Sequence, residues 1–530
     1  MKAFFRELAL FAFFVLASGW ALRPLPFHLA DSIPAGSDPP HHLYILNWLL
    51  EHGASADRFE GRMFHPAKNA VLRSDLSIGT VVLMAPVAAI VGEPLIRFNL
   101  ATWLSLAFSG WAFCLLARSW TQSALAGLFA GITAVLGSHQ SLHYVHLNLL
   151  AAGWLPIFLW ALDRVLTEAR ARDVVLMGVS FALIASSSGY YGVAALIIAC
   201  VFFARQTSAR ALKLAALAAV LAVILLSPYL MAYATLHAEE GLARTSRELS
   251  KGSWTLSDFG SRTLLHRLWN PAAGEPLFPG IAVPLLSLLA LARGGRRERA
   301  LGIAILLLFW LGLGEPGGLY RLLAFAPPFN SMRHPVTLAA VGLMLLSVLA
   351  AFGFARLEKS RARFGVLLLG LGILETAAPA NDFFNVAPGV PPVYEAMEKL
   401  PPGPVLDIPP YEATPLIWAA RRGYETLNGG GAFIPALTNR IETTVQNHWL
   451  TDSFQPIDES KATGILLNET RLRYLILPAS RRGGIAPLMQ RFRESHCFKE
   501  LGTYAGDLLF EAVRETTCPA WAGARAANQP

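Results

Sequence analysis

Between residues 4 and 378 the chain carries eleven apolar stretches almost free of charge: 4–22, 98–117, 123–136, 147–162, 174–185, 191–204, 214–230, 277–291, 301–313, 336–354 and 364–378. No water-soluble core holds so many, and within a bilayer a helix satisfies the backbone of such a run from inside. Several stretches are shorter than the ~20 residues that cross the hydrocarbon, so their flanks complete the spans. Composition agrees: 54% of the 530 residues are hydrophobic and 15% charged, which excludes an ordinary soluble enzyme. The expectation is an all-α polytopic membrane domain of about eleven spans.

Lys and Arg gather in alternate connections: Lys2 and Arg6; Arg118; Arg164, Arg170 and Arg172; Arg205, Arg210 and Lys213; Arg293, Arg296, Arg297 and Arg299; Arg356, Lys359, Arg361 and Arg363. The positive-inside rule assigns these to the cytoplasm, together with the N-terminus. It assigns 23–97, 137–146, 186–190, 231–276, 314–335 and everything after 378 to the outside. Orientation thus accounts for the net charge of +8, and nucleic acid is not an expected partner. The run 78–91 would reverse the alternation if it crossed. Its fourteen residues and its Pro86 suit one re-entrant or interfacial helix instead. Lys2 and Arg6 before an apolar core also fit a signal peptide, which delivers Arg23 outward whether cleaved or not. The expected location is the inner (cytoplasmic) membrane, crossed many times.

After residue 378 no apolar run is long enough to span, and the linker 379–392 is rich in Pro and Asn. Two domains are expected: 1–380 in the membrane, with its large first outer loop 23–97, and 381–530 as an extracytoplasmic α/β domain. PVLDIP at 404–409 and LRYLILP at 472–478 read as buried strands, and FKELGTYAG with DLLFEAV as a hairpin turning at Gly506. Helical patterns lie at 393–400 and 487–494. The four cysteines form no CxxC pair, so neither zinc nor a redox motif is signalled. Cys497 and Cys518 both fall in the outer domain. They are either two free thiols or a disulfide worth roughly 3 kcal/mol.

Candidate chemistry gathers in the outer parts. In IPAGSDPPHHLYILNW, at 33–48, Asp38 stands ahead of an apolar and aromatic face made by Leu43, Tyr44, Leu46, Asn47 and Trp48. Trp and Tyr favour the headgroup level, so this segment is expected to lie along the membrane surface. A carboxylate there is able to deprotonate an acceptor hydroxyl; Asp before Pro-Pro is equally a good helix start. Asp31 and Asp75 compete with it, Asp75 being also a candidate N-cap. His139, His143 and His146 share a face at helical spacing. Three histidines suit a metal that would assist a leaving phosphate, but the plainer reading is a polar edge lining a cavity, so no metal is expected. Arg333, among Pro327, Pro328 and Pro335, suits bidentate binding of a lipid phosphate or simple snorkelling. The long outer loop 231–276 is expected to close over a substrate. In SSSGYYG, at 186–192, the tyrosines suit sugar contact, though a plain turn fits too.

FHPAKNAVLRSDLSIGTVVLMAP, GEPLIRFNL, LARSWTQSALAGLFAG, HLNLLAAGWLPIFLWALDR, LFPGIAVPLLSLLAL and LAFAPPFNSMRHPVT, in this order, resemble bacterial GT-C superfamily membrane proteins, including YfhO-like and mannosyltransferase-like members. The resemblance implies an inverting hexosyltransferase of GT-C type that takes a sugar from a polyprenyl-phosphate donor on the outer face. The acceptor would be a glycan, lipid or protein of the cell envelope. It maps the family's acidic base onto Asp38, the arginine of its outer RxP segment onto Arg333, and its histidine-containing outer turn onto His143 and His146. No cofactor is implied. The paired Pro and paired His after Asp38 depart from the pattern, as does Thr337 where a second arginine often stands. Two other readings remain at this stage, a lipid or solute transporter and a non-catalytic assembly or binding protein. Few ionisable residues inside the spans and no internal repeat weigh against the transporter.

Overall fold

The computed structural model describes residues 1–137, 143–204, 208–241, 252–255, 258–261, 263–268, 277–326, 328–360, 362–386, 390–410, 412–445, 464–479 and 496–513. His139, Cys518 and the helix expected at 487–494 lie outside the described residues. Helices α1 (Lys2–Ala21), α2 (Asp38–His52), α3 (Ile78–Ala88), α4 (Pro94–Thr121), α5 (Ala124–Leu136), α6 (Leu147–Leu150), α7 (Trp154–Glu168), α8 (Arg172–Ser187), α9 (Gly189–Phe203) and α10 (Ala209–Glu240) come first. Then follow α11 (Ala282–Ala292), α12 (Arg296–Gly312), α13 (Leu319–Leu323), α14 (Val336–Ser360), α15 (Ala362–Thr376), α16 (Pro392–Met397), α17 (Pro415–Arg422) and α18 (Ala436–Val445).

Among the described residues five segments are long and apolar enough to cross a bilayer: Phe4–Ala21, Pro94–Thr121, Leu147–Glu168, Ala209–Glu240 and Val336–Ser360. Ile78–Ala88, Ala124–Leu136, Gly189–Phe203 and Ala282–Ala292 are shorter apolar helices. The chain is a multi-pass membrane protein.

Contacts divide it into two units: Met1–Leu29 with Asp75–Val87 and Asn99–Phe383, and Ala30–Ser74 with Ala88–Phe98 and Phe384–Pro530. The sequence groups 23–97 with the membrane domain; here most of that loop folds with the C-terminal part. Backbone pairing is the reason. Phe64 N–H donates to Asn428 O, His65 N–H to Thr426 O, and Thr426 N–H to Arg62 O, so the loop lays residues 62–65 beside the C-terminal chain and satisfies its own polar backbone there.

In the first unit α14 is the axis. Val336–Ala355 is buried at all but one position, with α12, α11 and α5 packed around it. A Cβ at Gly353 would run into the Leu286 carbonyl of α11, so glycine there lets two backbones touch, as small residues do between membrane helices. The helix ends are tied by ion pairs made from the basic connections: Arg118 to Glu7 at 2.7 Å, Arg164 to Asp173 at 2.9 Å, Arg297 to Asp163 at 2.6 Å and Arg356 to Glu298 at 2.7 Å. By contrast α10 keeps Leu217, Val220, Val223, Ile224 and Leu225 exposed, the expected face for lipid.

The second unit holds a pair of short strands, β1 (Ser32–Pro34) and β2 (Phe383–Asn385), and a four-stranded sheet. The sheet orders β3 (Val405–Asp407), β4 (Tyr474–Leu477), β6 (Asp507–Ala512) and β5 (Phe498–Tyr504), with β3 parallel to β4 and the other pairs antiparallel. These are the strands and the hairpin read from the sequence, and the turn uses Ala505 and Gly506, both at positive φ. Leu406, Ile408, Leu475, Leu477 and Phe510 fill the core with Leu466 of the preceding turn.

Candidate functional site

In the first unit the polar groups converge on the N-terminus of α9. That terminus needs acceptors for its free amides, and its N-cap Ser188 supplies no side-chain cap bond. Asp75 supplies one from another part of the chain: its carboxylate accepts from Gly189 N–H at 3.3 Å and from Asn148 Nδ2 at 2.6 Å. Gly79 N–H adds a bond to Ser187 Oγ at 2.7 Å. Burial pushes the Asp75 carboxyl above the usual range, against the pull of those donors. SSSGYYG is therefore more than a turn; it receives Asp75.

One residue further, Tyr190 Oη accepts the backbone N–H of His334 at 2.9 Å. Arg333 beside it is exposed and donates from Nε to His334 Nε2 at 3.0 Å. The first turn of α9 thus joins Asp75 and Asn148 on one side to the Arg333 segment on the other. Asn148 and the bridging role of Tyr190 escaped the sequence reading because each depends on partners far along the chain.

His143 and His146 face each other with Nδ1 atoms 3.0 Å apart, so one ring donates and the other accepts. Tyr144 Oη donates to Asp382 O at 3.0 Å. Among the described residues no group of three His, Cys, Asp or Glu is arranged to hold a metal ion. Glu375 accepts from Ile281 N–H at 2.9 Å and Ala282 N–H at 3.0 Å at the start of α11, and lies 3.2 Å from His266 Nε2.

In the second unit Asp38 stands half-buried in the first turn of α2, after the N-cap Ser37 and before Pro39. There its charge complements the helix dipole. The face expected to lie along the membrane is occupied differently: Leu43, Tyr44, Leu46 and Asn47 are buried, Tyr44 Oη accepts Arg62 N–H at 2.6 Å, and α2 packs on α17. Protein, not lipid, covers that side.

His41, one turn after Asp38, is 2% exposed. Burial lowers its pKa to about 4, opposed by the charge of Asp38. Its Nε2 is buried without a hydrogen-bond partner among the described residues. The segment Asn428–Gly431 lies against it: a Cβ at Gly430 would stand 2.8 Å from His41 Cβ, and one at Gly431 3.4 Å from Nε2. Asn428 holds the segment's base, accepting Asp407 N–H at 2.8 Å and donating to Asp407 O at 2.9 Å. Asp407 is itself buried, its carboxyl pushed up to about 7 by burial while Tyr394 Oη donates to it at 2.6 Å. The NGGG string was the available sequence signal for this corner. Cys497 is a disulfide cysteine, whereas Cys114 and Cys200 are free.

This arrangement is the GT-C fold, as the resemblance implied. The mycobacterial arabinofuranosyltransferase AftD is similar over 96% of this chain and 40% of its own, with a TM-score of 0.61 at 13% identity. The archaeal oligosaccharyltransferase AglB of Archaeoglobus fulgidus, solved with an inhibitory peptide and a dolichol-phosphate, is similar over 96% of this chain and 74% of its own, with a TM-score of 0.51 at 13% identity. The chain thus spans less than half the length of AftD. No protein-family model matches the sequence, and no curated protein does.

Proposed function

We propose that this protein is a membrane glycosyltransferase that moves a sugar from a polyprenyl-phosphate donor to a hydroxyl of a cell-envelope acceptor on the outer face, with inversion. The observation that carries the reading is the fold, shared over 96% of the chain with an arabinofuranosyltransferase; it is an argument from likeness of fold. The dolichol-phosphate in the AglB structure supports a lipid-linked donor.

Asp38 is assigned as general base, being a half-buried carboxylate at a helix start in the first outer loop. It takes the proton of the acceptor O–H. The oxygen bonds to the anomeric carbon as the bond from that carbon to the phosphate oxygen breaks, and the phosphate leaves with the electron pair. Arg333, exposed and guanidinium-bearing, is assigned to the phosphate, with His143 and His146 as further donors. Asp75 is assigned to hold the α9 terminus next to the Arg333 segment.

Purified protein in lipid nanodiscs, offered labelled polyprenyl-phosphate sugars, tests this. Asp38→Asn is expected to lower turnover by about a hundredfold or more with the fold intact, and unchanged transfer removes Asp38 from the mechanism. No turnover with any donor favours the non-catalytic binding protein.

A further inference from the structure

Within the second unit one feature has no role in the assignments above: a buried imidazole next to Asp38 with an unused ring nitrogen. We propose that His41 and the Gly429–Gly431 segment form an acceptor subsite beside Asp38 that takes a neutral sugar hydroxyl. The proposal rests on the glycosyltransferase reading and names where that reaction's acceptor binds.

Four observations carry it. First, Asp38 and His41 are three residues apart on one helix, so their side chains share a face. A hydroxyl bonded to His41 is then within a helical turn of the base. Second, Nε2 of His41 is buried with no partner among the described residues, and such an atom costs free energy unless something bonds to it. Third, the side of Nε2 that Gly431 faces is formed by glycine backbone, the Arg73 carbonyl and the short side chain of Ser74. Gly430 and Gly431 are half-exposed, and a Cβ at Gly431 would stand 3.4 Å from Nε2 and 3.2 Å from the Arg73 carbonyl. A side chain at 431 would crowd Nε2, and glycine, with φ at +144°, keeps a conformation that side chains resist.

The fourth observation concerns charge. Asp38 already meets the positive end of α2, so the helix start does not call for an anion. The imidazole is neutral near pH 7, since its pKa lies at about 4. One neutral nitrogen that donates or accepts a single bond suits a hydroxyl and brings no positive charge for a phosphate. The ligand class is therefore a polyhydroxylated, uncharged acceptor.

The experiment uses the full chain in nanodiscs and saturation-transfer NMR with methyl α-D-mannopyranoside, methyl α-D-glucopyranoside and methyl α-D-arabinofuranoside as probes. At least one is expected to bind. His41→Ala should weaken it about tenfold, the loss of one hydrogen bond, and His41→Gln, which keeps a side-chain amide, should recover most of it. Inorganic phosphate should not compete. Binding by none of the probes, equal binding by His41→Ala, or competition by phosphate overturns the subsite.

Turnover is read separately with polyprenyl-phosphate sugars. In an active protein His41→Ala should raise the acceptor KM about tenfold with a much smaller change in kcat, a split that general loss of structure would not give. His41-dependent binding without transfer by any donor overturns the transferase reading alone. Transfer with His41-independent binding overturns the subsite alone.

Discussion

At the scale of single residues, three buried acids and bases decide what solution conditions do to this protein. His41 has a folded pKa of about 4 against an ordinary 6.5. The unfolded chain therefore takes up a proton between those values that the folded one refuses, and stability falls as pH drops through that window, by about 3 kcal/mol in all. Asp407 works the other way. Its folded pKa of about 7 against 3.8 means the folded state holds the extra proton, so acidification stabilises by about 4 kcal/mol. The two nearly cancel in the wild type. His41→Asn should make the protein more stable on acidification from pH 7 to pH 4, and Asp407→Asn less, as read by thermal unfolding across that range. Asp75 makes a different prediction. Asp75→Asn keeps an acceptor for Gly189 N–H, whereas Asp75→Leu strands that amide and Asn148 Nδ2, and should cost roughly 2–5 kcal/mol by the same measurement.

At the scale of elements, legibility followed the range of the contacts. Strands β3, β4, β5 and β6 were readable because Pro and Gly bound short apolar runs, and α2 because Asp38 and two prolines mark a helix start. The surroundings of these elements were not readable. The aromatic face of α2 looks like a membrane-surface face in sequence, and only its packing on α17 and the bond of Tyr44 to Arg62 show that protein covers it. The capping of α9 by Asp75 is equally invisible, since a sequence displays local caps and hides those supplied from over a hundred residues away. Packing of α11 on α14 gives a sharp test at Gly353. Gly353→Val must push the Leu286 carbonyl aside and should cost roughly 1–3 kcal/mol. If its thermal midpoint equals that of the wild type, the close approach is not what holds these helices.

At the scale of the whole molecule, the basic residues from which orientation was read also tie helix ends together, Arg118 to Glu7 and Arg356 to Glu298 among them. The charge pattern thus pointed to residues that hold the helices together, a packing role that the sequence did not display. Orientation itself is open to direct measurement. In a Cys200→Ser background, an impermeant maleimide added to intact cells is expected to label Ser37→Cys at once and Arg296→Cys only after lysis; the reverse result inverts the topology.

The unequal helices have a mechanical consequence for the lipid. At ~1.5 Å per residue, α10 with its 32 residues is about 48 Å long and α11 with its 11 about 17 Å, on either side of a hydrocarbon layer of ~30 Å. The charged ends of α10, Arg210 and Lys213 at one and Glu239 and Glu240 at the other, extend its length beyond the layer, while α11 is too short to cross alone, so the fit of these helices depends on bilayer thickness. Activity should therefore change with acyl-chain length in reconstituted vesicles, the surrounding membrane acting as an adjustable part of the machine.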